Sequence, residues 1–184
     1  MRSTLGFLRK ILKQYKRREY TSISSADTLV VCNICLWKGH KFEDFDVGYG
    51  GVYENSLCPR CHSQPRHRSL YFYLQNILPN QKPINFLHVS PEKCLDKLIS
   101  SYKNINYLSI DLDSNNAMKA EDLTKLTFKD NSFDFILCSH VLEHIKNDKK
   151  AISEIYRVLN RNGKAVIDVP INYTALDTYE DDNI

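Results

Sequence analysis

The apolar residues in the second half of the chain form two patterns, short continuous runs and helical spacing. Four largely apolar runs predict strands: Ile84–Val89, Tyr107–Ile110, Phe133–Cys138 and Lys164–Val169. Helical spacing predicts helices at Pro91–Ser101 and Asp148–Leu159, and Asn162-Gly163 is expected to end the second one. One face of that second helix is predicted to carry Ile152, Ile155, Tyr156 and Leu159. The alternation implies an α/β fold with an open, mostly parallel, doubly wound sheet that binds its ligand at the carboxyl ends of the strands.

The first 27 residues predict a basic amphipathic helix followed by a polar linker. Residues 1–20 carry a net charge of +6, and the rest of the chain carries −3. The apolar residues at helical spacing are Leu5, Leu8, Ile11, Leu12 and Tyr15. One interpretation is a helix that packs on the protein with a solvated basic face. The other is weak adhesion of residues 1–20 to an anionic membrane surface or a polyanion.

Four cysteines are the most specific chemical signal in the chain. Cys32, Cys35, Cys58 and Cys61 form two C-x-x-C pairs that are separated by 22 residues. Two such pairs offer the four soft ligands that tetrahedral Zn²⁺ takes, which predicts a zinc ribbon over residues 28–65. The alternative is a pair of disulfides or four unrelated thiols. Cys94 and Cys138 stand alone in apolar segments and are expected to be buried apolar side chains.

A connecting helix is predicted over residues 66–83. Ser63 is expected to cap this helix, which Pro65 begins. Its first turn contains Arg66, His67 and Arg68, whose positive charge opposes the helix dipole. The three side chains therefore require an anionic partner, either acidic neighbours in the fold or a phosphate or carboxylate group of a substrate.

Composition excludes several classes of protein. The chain has 184 residues, 42% of them hydrophobic, which suffices for one core and a small metal-bound unit. No apolar run reaches the roughly 20 residues of a membrane span, and the N-terminus lacks the apolar core of a signal peptide. We therefore expect a cytoplasmic protein. The net acidic body and the absence of a basic stripe with interleaved aromatic residues argue against nucleic acid as a partner.

Carboxylates stand where predicted strands end. Asp111 closes the second strand, the position at which doubly wound sheets place the acid that binds ribose hydroxyls. Glu121-Asp122-Leu123 follows a weak strand at Met118–Ala120 and offers a second acid near the expected adenine position. Asp134 begins a strand and is expected to be structural.

Three runs carry a resemblance to a known family. They are Glu121–Asp134, Ser139–His144 and Glu154–Leu159. Together they resemble the class I S-adenosylmethionine-dependent methyltransferases of the type 11 group, over about Ile84 to Pro170. The resemblance implies a Rossmann-like domain over residues 84–184 and S-adenosyl-L-methionine as cofactor. The residues implied to bind it are Val89, Ser90, Pro91, Glu92, Asp111, Leu112, Asp122, Leu123, Ser139 and His140.

The chain departs from the family pattern in two places. The glycine-rich turn after the first strand is replaced by Val89-Ser90-Pro91-Glu92-Lys93. This turn, together with the cysteine pairs and Arg66-His67-Arg68, resembles a bacterial subgroup often linked to surface glycan synthesis, in which Glu92 would face the methionine amino group. The chain also stops before the final strands of the family's sheet, so we expect either a fragment or a truncated domain.

The leading hypothesis is a methyltransferase that transfers a methyl group to an oxygen or nitrogen atom of a small-molecule or glycan substrate. Arg66, His67 and Arg68 would contact that substrate. His140 or His144 would act as general base; the alternative is that both are helix-start or packing residues and that catalysis rests on positioning the methyl donor. The zinc would be structural, because four thiolates fill its coordination sphere. The alternative is a non-catalytic zinc-ribbon module that binds nucleic acid or protein and is carried on a degenerate sheet.

Overall fold

The computed structural model describes residues 29–46, 51–78 and 82–171. The predicted basic helix and its polar linker, residues 1–27, lie outside the described residues. No helix among those described is long and apolar enough to cross a membrane.

Two small hairpins form the N-terminal unit, which we call the cysteine module (residues 29–46 and 51–64). Strand β1 (Val30–Val31) pairs antiparallel with β2 (Lys38–Gly39). Strand β3 (Glu43–Asp46) pairs antiparallel with β4 (Val52–Leu57). The small core of the cysteine module contains Cys32, Phe42 and Cys58, with Trp37 partly buried against them. With so few buried apolar residues, the module depends on its cysteines for much of its stability.

Helix α1 (Pro65–Ile77) follows directly and differs from the prediction at its start. Gln64 is the N-cap, in a capping box in which the Gln64 N–H donates to His67 Nδ1 (3.0 Å). Ser63 is fully buried beside the cysteines instead, with Oγ 3.4 Å from Cys32 Sγ. The expectation that Ser63 caps the helix was therefore wrong, because the cysteine cluster competes for its hydroxyl group.

A five-stranded parallel sheet forms the rest of the described fold. Its elements are β5 (Ile84–Val89), α2 (Lys93–Ile99), β6 (Ile105–Asp111), β7 (Lys119–Ala120), β8 (Phe133–Ser139), a 3-10 helix (Leu142–His144), α3 (Asp148–Val158) and β9 (Leu159–Asp168). The strand order is β7-β6-β5-β8-β9, and every neighbouring pair is parallel. The chain leaves β5 toward β6 on one side and returns to β8 on the other, so the topological switch point lies between β5 and β8.

Both faces of the sheet are covered, which explains the continuous apolar runs. Leu87 and Ile136 pack on one face in a core with α3. Phe86 and Phe135 stack on the other face, 4.9 Å between ring centroids, in a core with α1 and α2. The predicted doubly wound, Rossmann-like α/β class is confirmed.

The predicted buried face of α3 was wrong in part. Ala151, Ile155 and Val158 face the core, whereas Ile152 is 43% exposed and Tyr156 is 81% exposed. Two overlapping sets of residues satisfy helical spacing here, and docking on the sheet selects the set with smaller side chains.

Asn162-Gly163 does not end the helix. Helix α3 ends at Val158 and β9 begins at Leu159, so Gly163 lies inside a strand. The final carbonyl groups of α3 are satisfied from another loop, because Asn131 N–H donates to Arg157 O (3.0 Å) and Ser132 N–H donates to Val158 O (2.7 Å). The helix therefore needs no glycine cap.

Asp134 has the structural role expected of it. Its Oδ2 accepts from Asn85 N–H (2.9 Å) and its Oδ1 accepts from Asn160 Nδ2 (2.6 Å). Asp134 thus joins β5, β8 and β9 at the amino end of the sheet, opposite the ligand-binding end.

Candidate functional site

The four predicted metal ligands lie together. The Sγ atoms of Cys32, Cys35, Cys58 and Cys61 are all within 4.8 Å of one another, and the cysteines are free thiols. Cys32 Sγ and Cys61 Sγ are 3.7 Å apart, and Cys35 Sγ and Cys58 Sγ are 3.5 Å apart. Four thiolates at about 2.3 Å from one Zn²⁺ would lie about 3.8 Å from each other. The cluster therefore has the donor set and nearly the spacing of a structural zinc site.

The two C-x-x-C pairs form equivalent turns. Leu36 N–H donates to Cys32 O and His62 N–H donates to Cys58 O, both at 2.9 Å. Leu36 and His62 both adopt left-handed backbone conformations, with φ of 59° and 56°. Neither is a glycine, so only the cysteine spacing in the sequence signalled these turns.

Hydrogen bonds favour the thiolate form of one cysteine. Burial raises the pKa of Cys32, but hydrogen bonds from Ser63 and from the N–H groups of Cys35 and Ile34 outweigh it and lower the pKa to about 6. The Cys32 thiolate is the form that binds metal.

Arg68 attaches the cysteine module to α1. Its guanidinium donates to Ser63 O (2.5 Å) and to Ser56 O (2.8 Å), and its Cζ lies 4.1 Å from the centroid of the Phe42 ring. Arg66 is half-buried, and its Nε has no hydrogen-bond partner in the described part of the chain. Arg68 is thus engaged by carbonyl groups and an aromatic ring rather than by carboxylates. The predicted contact of Arg66, His67 and Arg68 with substrate stays a prediction.

A buried cluster of titratable groups links α1 to the sheet. Glu92 Oε1 lies 3.5 Å from His67 Nε2, and Glu92 Oε2 lies 3.2 Å from His88 Nε2. His88 Nδ1 is in turn 2.9 Å from Tyr107 Oη. Burial raises the pKa of Glu92, but its polar contacts with the two histidines outweigh burial and hold the pKa well below its usual range.

A cavity lies at the carboxyl ends of the strands, next to the switch point. It has a volume of about 810 Å³ and is bordered by Ser90, Asp111, Asp122 and His140, among others. A second cavity of about 450 Å³ shares Ser90 and Asp111 with it. A volume near 800 Å³ lies within the range of sites for small molecules and cofactors.

The turn after β5 keeps a tight shape without glycine. Ser90 has φ of 48°, a left-handed conformation that favours glycine. Its N–H donates to Ile110 O (2.7 Å), and its hydroxyl donates to Asp111 Oδ2 (2.7 Å). These two hydrogen bonds compensate for the strained backbone. We call Ser90 and Pro91 the β5 turn. Both residues border the smaller cavity, and Ser90 also borders the larger one. They stand where the resembled family has its glycine-rich turn.

Asp111 has the position that the sequence predicted. Its Oδ1 accepts from Asp113 N–H (2.9 Å), and Asp113 itself caps the following turn by accepting from Asn115 N–H (2.9 Å). Burial raises the pKa of Asp111, but hydrogen bonds from Asp113, Ser90 and Asn116 outweigh it and lower the pKa. Each Asp111 oxygen keeps lone-pair capacity for another donor. Leu112 is 78% exposed at the cavity edge.

The two acids after β7 have different environments. Glu121 is buried, accepts from Thr127 N–H (3.0 Å) and pairs with Lys119, which gives it a structural role. Asp122 is exposed on the cavity wall, and its Oδ1 accepts from Thr124 N–H (2.8 Å). Leu123 borders the cavity and is buried in the core.

His140 stands between two carboxylates at the end of β8. Its Nδ1 lies 3.2 Å from Glu143 Oε1, and its Nε2 lies 3.7 Å from Asp168 Oδ2. One oxygen of each carboxylate, Glu143 Oε2 and Asp168 Oδ1, is buried without a hydrogen-bond partner among the described residues. His144 borders the same cavity, but its side chain is 75% exposed. Its Nε2 lies 4.0 Å from Glu143 Oε1, farther than the 3.2 Å of His140 Nδ1.

The structure thus gathers most of the predicted cofactor residues around one cavity. Val89, Ser90, Asp111, Leu112, Asp122, Leu123 and His140 border the larger cavity, and Pro91 borders the smaller one. Glu92 and Ser139 border neither: Glu92 faces the two histidines, and Ser139 is buried with its hydroxyl 3.2 Å from Asp168 Oδ2. Glu143 and Asp168 were not predicted from the sequence, although Asp168 lies one residue before the end of the predicted strand Lys164–Val169 and was open to much the same argument as Asp111.

Parts of the chain are similar to known proteins. Residues 98–167 match the family model described as "Methyltransferase domain". A stretch of 79 residues (40% of this chain) is 40% identical to an uncharacterized protein of Methanocaldococcus jannaschii and covers 34% of it. A stretch of 50 residues (27% of this chain) is 42% identical to a demethylmenaquinone methyltransferase of Streptomyces avermitilis and covers 22% of it. The chain thus spans about a third or less of the length of these curated relatives.

Among solved structures, the chain is similar to phosphoethanolamine N-methyltransferase 2 of Haemonchus contortus in complex with S-adenosyl-L-methionine. The identity is 22% and the TM-score is 0.45, and the match covers 55% of this chain and 27% of that protein.

Proposed function

Since residues 98–167 match the methyltransferase domain family, we propose that this protein is an S-adenosylmethionine-dependent methyltransferase. The observation that carries the proposal is the combination of Asp111 and the β5 turn at one end of a parallel sheet, beside a cavity of about 810 Å³. In doubly wound sheets this is where a nucleoside-containing cofactor binds.

The residues present fit such a cofactor. In the proposed complex, both ribose hydroxyls donate to Asp111, Asp122 accepts from the adenine amino group, and Leu112 and Leu123 contact the adenine ring. The β5 turn borders the space for the methionine part. The contact of Glu92 with the methionine amino group stays a prediction. When bound, S-adenosylmethionine supplies the methyl group, carried on a positively charged sulfur.

His140 is the proposed general base. With a proton on Nδ1 directed at Glu143 (3.2 Å), the lone pair of Nε2 is free to accept a proton from the acceptor's hydroxyl or amine group. The carboxylate of Asp168, 3.7 Å from Nε2, then stabilises the positive ring. His144 is the second candidate, but its exposed ring has a weaker carboxylate contact.

The acceptor, the metal and the location are further parts of the proposal. An oxygen or nitrogen acceptor on a small molecule or glycan is supported by the subgroup resemblance. Zn²⁺ at Cys32, Cys35, Cys58 and Cys61 is supported by the sulfur geometry, and a site with four thiolates would be structural. Free thiols throughout the described chain support the reducing cytoplasm. Weak membrane contact through residues 1–20 stays a prediction.

Calorimetric titration with S-adenosylhomocysteine tests the proposal before any acceptor is known. We expect the wild-type chain to bind in the micromolar range and Asp111→Asn to bind about 30-fold more weakly, through loss of a charge-assisted hydrogen bond worth roughly 2 kcal/mol. Asp113→Asn is the matched control, because Asp113 caps a turn two residues away and should leave affinity unchanged.

Absence of binding by the folded wild-type chain would contradict the proposal. It would favour the alternative of a non-catalytic binding module, which filter binding to RNA and duplex DNA over a salt series would then examine.

A further inference from the structure

A buried contact connects the cysteine module to the predicted cofactor site. Glu92 is the N-cap of α2, where its carbonyl group accepts from Leu95 N–H (2.9 Å) and Asp96 N–H (3.0 Å). It directly follows the β5 turn, so the position of its side chain constrains that turn. The Glu92 side chain is 19% exposed, and the facing side chain of His67 is 6% exposed.

His67 belongs to the other side of this contact. Its Nδ1 accepts from Gln64 N–H (3.0 Å), and Gln64 lies three residues after Cys61. Because Nδ1 accepts, the neutral ring carries its proton on Nε2, which faces Glu92 Oε1 at 3.5 Å. The orientation of the ring is thus set by the end of the cysteine module and is directed at Glu92.

The β5 turn is held from two directions. On the side of β6, Ser90 donates to Ile110 and Asp111. On the side of α1, Glu92 Oε1 faces His67 Nε2 at 3.5 Å, and Glu92 Oε2 lies 3.2 Å from Nε2 of His88, which is fully buried on β5. The left-handed Ser90 requires such support, since a non-glycine residue in this conformation is strained by about 1 kcal/mol or more.

We propose that Glu92 and His67 are positioning residues that transmit the order of the cysteine module to the β5 turn and so set the affinity for the cofactor. The inference rests on the proposed function, because it concerns the same site. In this proposal Glu92 acts through the turn, and His67, which borders neither cavity, acts through Glu92.

The experiment is a double-mutant cycle read by titration with S-adenosylhomocysteine. His67→Asn keeps an acceptor near the Nδ1 position for Gln64 N–H and removes the group that faces Glu92, whereas Glu92→Gln keeps the size and removes the charge. We expect each single variant to weaken binding roughly five- to tenfold, and the double variant to be no weaker than the weaker single variant. His67→Gln, whose amide can reach Glu92, should recover most of the affinity. His40→Asn, at an exposed position of the cysteine module, is the control.

Three results would overturn the inference while the proposed function stands. They are wild-type affinity in His67→Asn, independent losses that multiply in the double variant, and equal losses in His67→Asn and His67→Gln. A wild-type chain without affinity would instead refute the proposed function.

Hydrogen exchange then tests the positioning role of His67 without any ligand. Faster exchange of Ser90 N–H in His67→Asn than in His40→Asn would support it, and equal exchange would refute it.

Discussion

Metal removal is expected to unfold the cysteine module and to leave the sheet folded. Four thiols within 4.8 Å of one another are the main feature that closes the module, and Phe42 is its one buried apolar side chain other than cysteine among the described residues. The sheet has its own two cores. The perturbation is chelation of zinc from the purified chain, or Cys35→Ser.

The expected loss of stability can be judged by comparing the stabilisation that burial of Phe42 provides with the stabilisation that the metal provides. Burial of one phenylalanine contributes about 2 to 3 kcal/mol, whereas structural zinc in small modules contributes on the order of 10 kcal/mol or more. Loss of the zinc contribution leaves the module without enough stability to stay ordered. We expect exchange protection in the two cysteine turns to fall at least about a thousandfold.

Hydrogen exchange of individual amides is the assay. The N–H groups of Leu36 and His62, which close the two turns, should lose protection, while those of β5 and β8 keep it. Cys94→Ser is the matched control for Cys35→Ser, since both cysteines are half-buried and only Cys35 belongs to the cluster. Unchanged protection of Leu36 and His62 after verified removal of the metal would refute the reasoning, and so would a purified chain that binds no zinc.

Three further predictions test the fold around the site. Ile155→Ala should lower the free energy of unfolding by about 2 to 5 kcal/mol, whereas Ile152→Ala on the exposed side of the same helix should cost less than about 1 kcal/mol; equal losses in urea denaturation would contradict the observed packing of α3. Because the pKa of Glu92 is lower in the folded protein than in the unfolded chain, its carboxylate stabilises the fold. This stabilisation is complete above the unfolded pKa of about 4.3 and decreases progressively as the pH falls. Glu92→Gln should therefore show a shallower loss of stability below about pH 4 in acid titration, and a curve parallel to wild type would refute this. Arg157→Lys should speed exchange of Leu126 N–H, because lysine cannot reproduce the five hydrogen bonds of the guanidinium, three of which hold the loop at 126–130 while two orient Glu154, the acceptor of Leu126 N–H. Unchanged exchange would show that the loop is held otherwise.

Local patterns were enough to predict several parts of the molecule. The spacing of the cysteine pairs predicted a cluster that the fold assembles, and the apolar runs predicted the strands of the sheet. Asp111 could be placed because the carboxyl ends of parallel strands meet at one edge, so a strand-ending acid lies near the ligand.

Other features depend on contacts between distant residues and could not be predicted. The apolar spacing of α3 was compatible with two buried faces, and only docking on the sheet selected Ala151 and Val158 over Ile152 and Tyr156. The end of the same helix depends on carbonyl groups that accept from Asn131 and Ser132, 26 residues earlier in the chain.

The sequence by itself determined the class of fold, the cysteine cluster and the acid at the end of β6, because each follows from residue type and short-range spacing. The tertiary structure alone decided that Ser90 adopts the conformation of a glycine, that Glu92 meets His67 and His88, and that His140 lies between Glu143 and Asp168. These contacts join residues on separate elements, and their distances depend on how the elements pack rather than on any pattern within one of them.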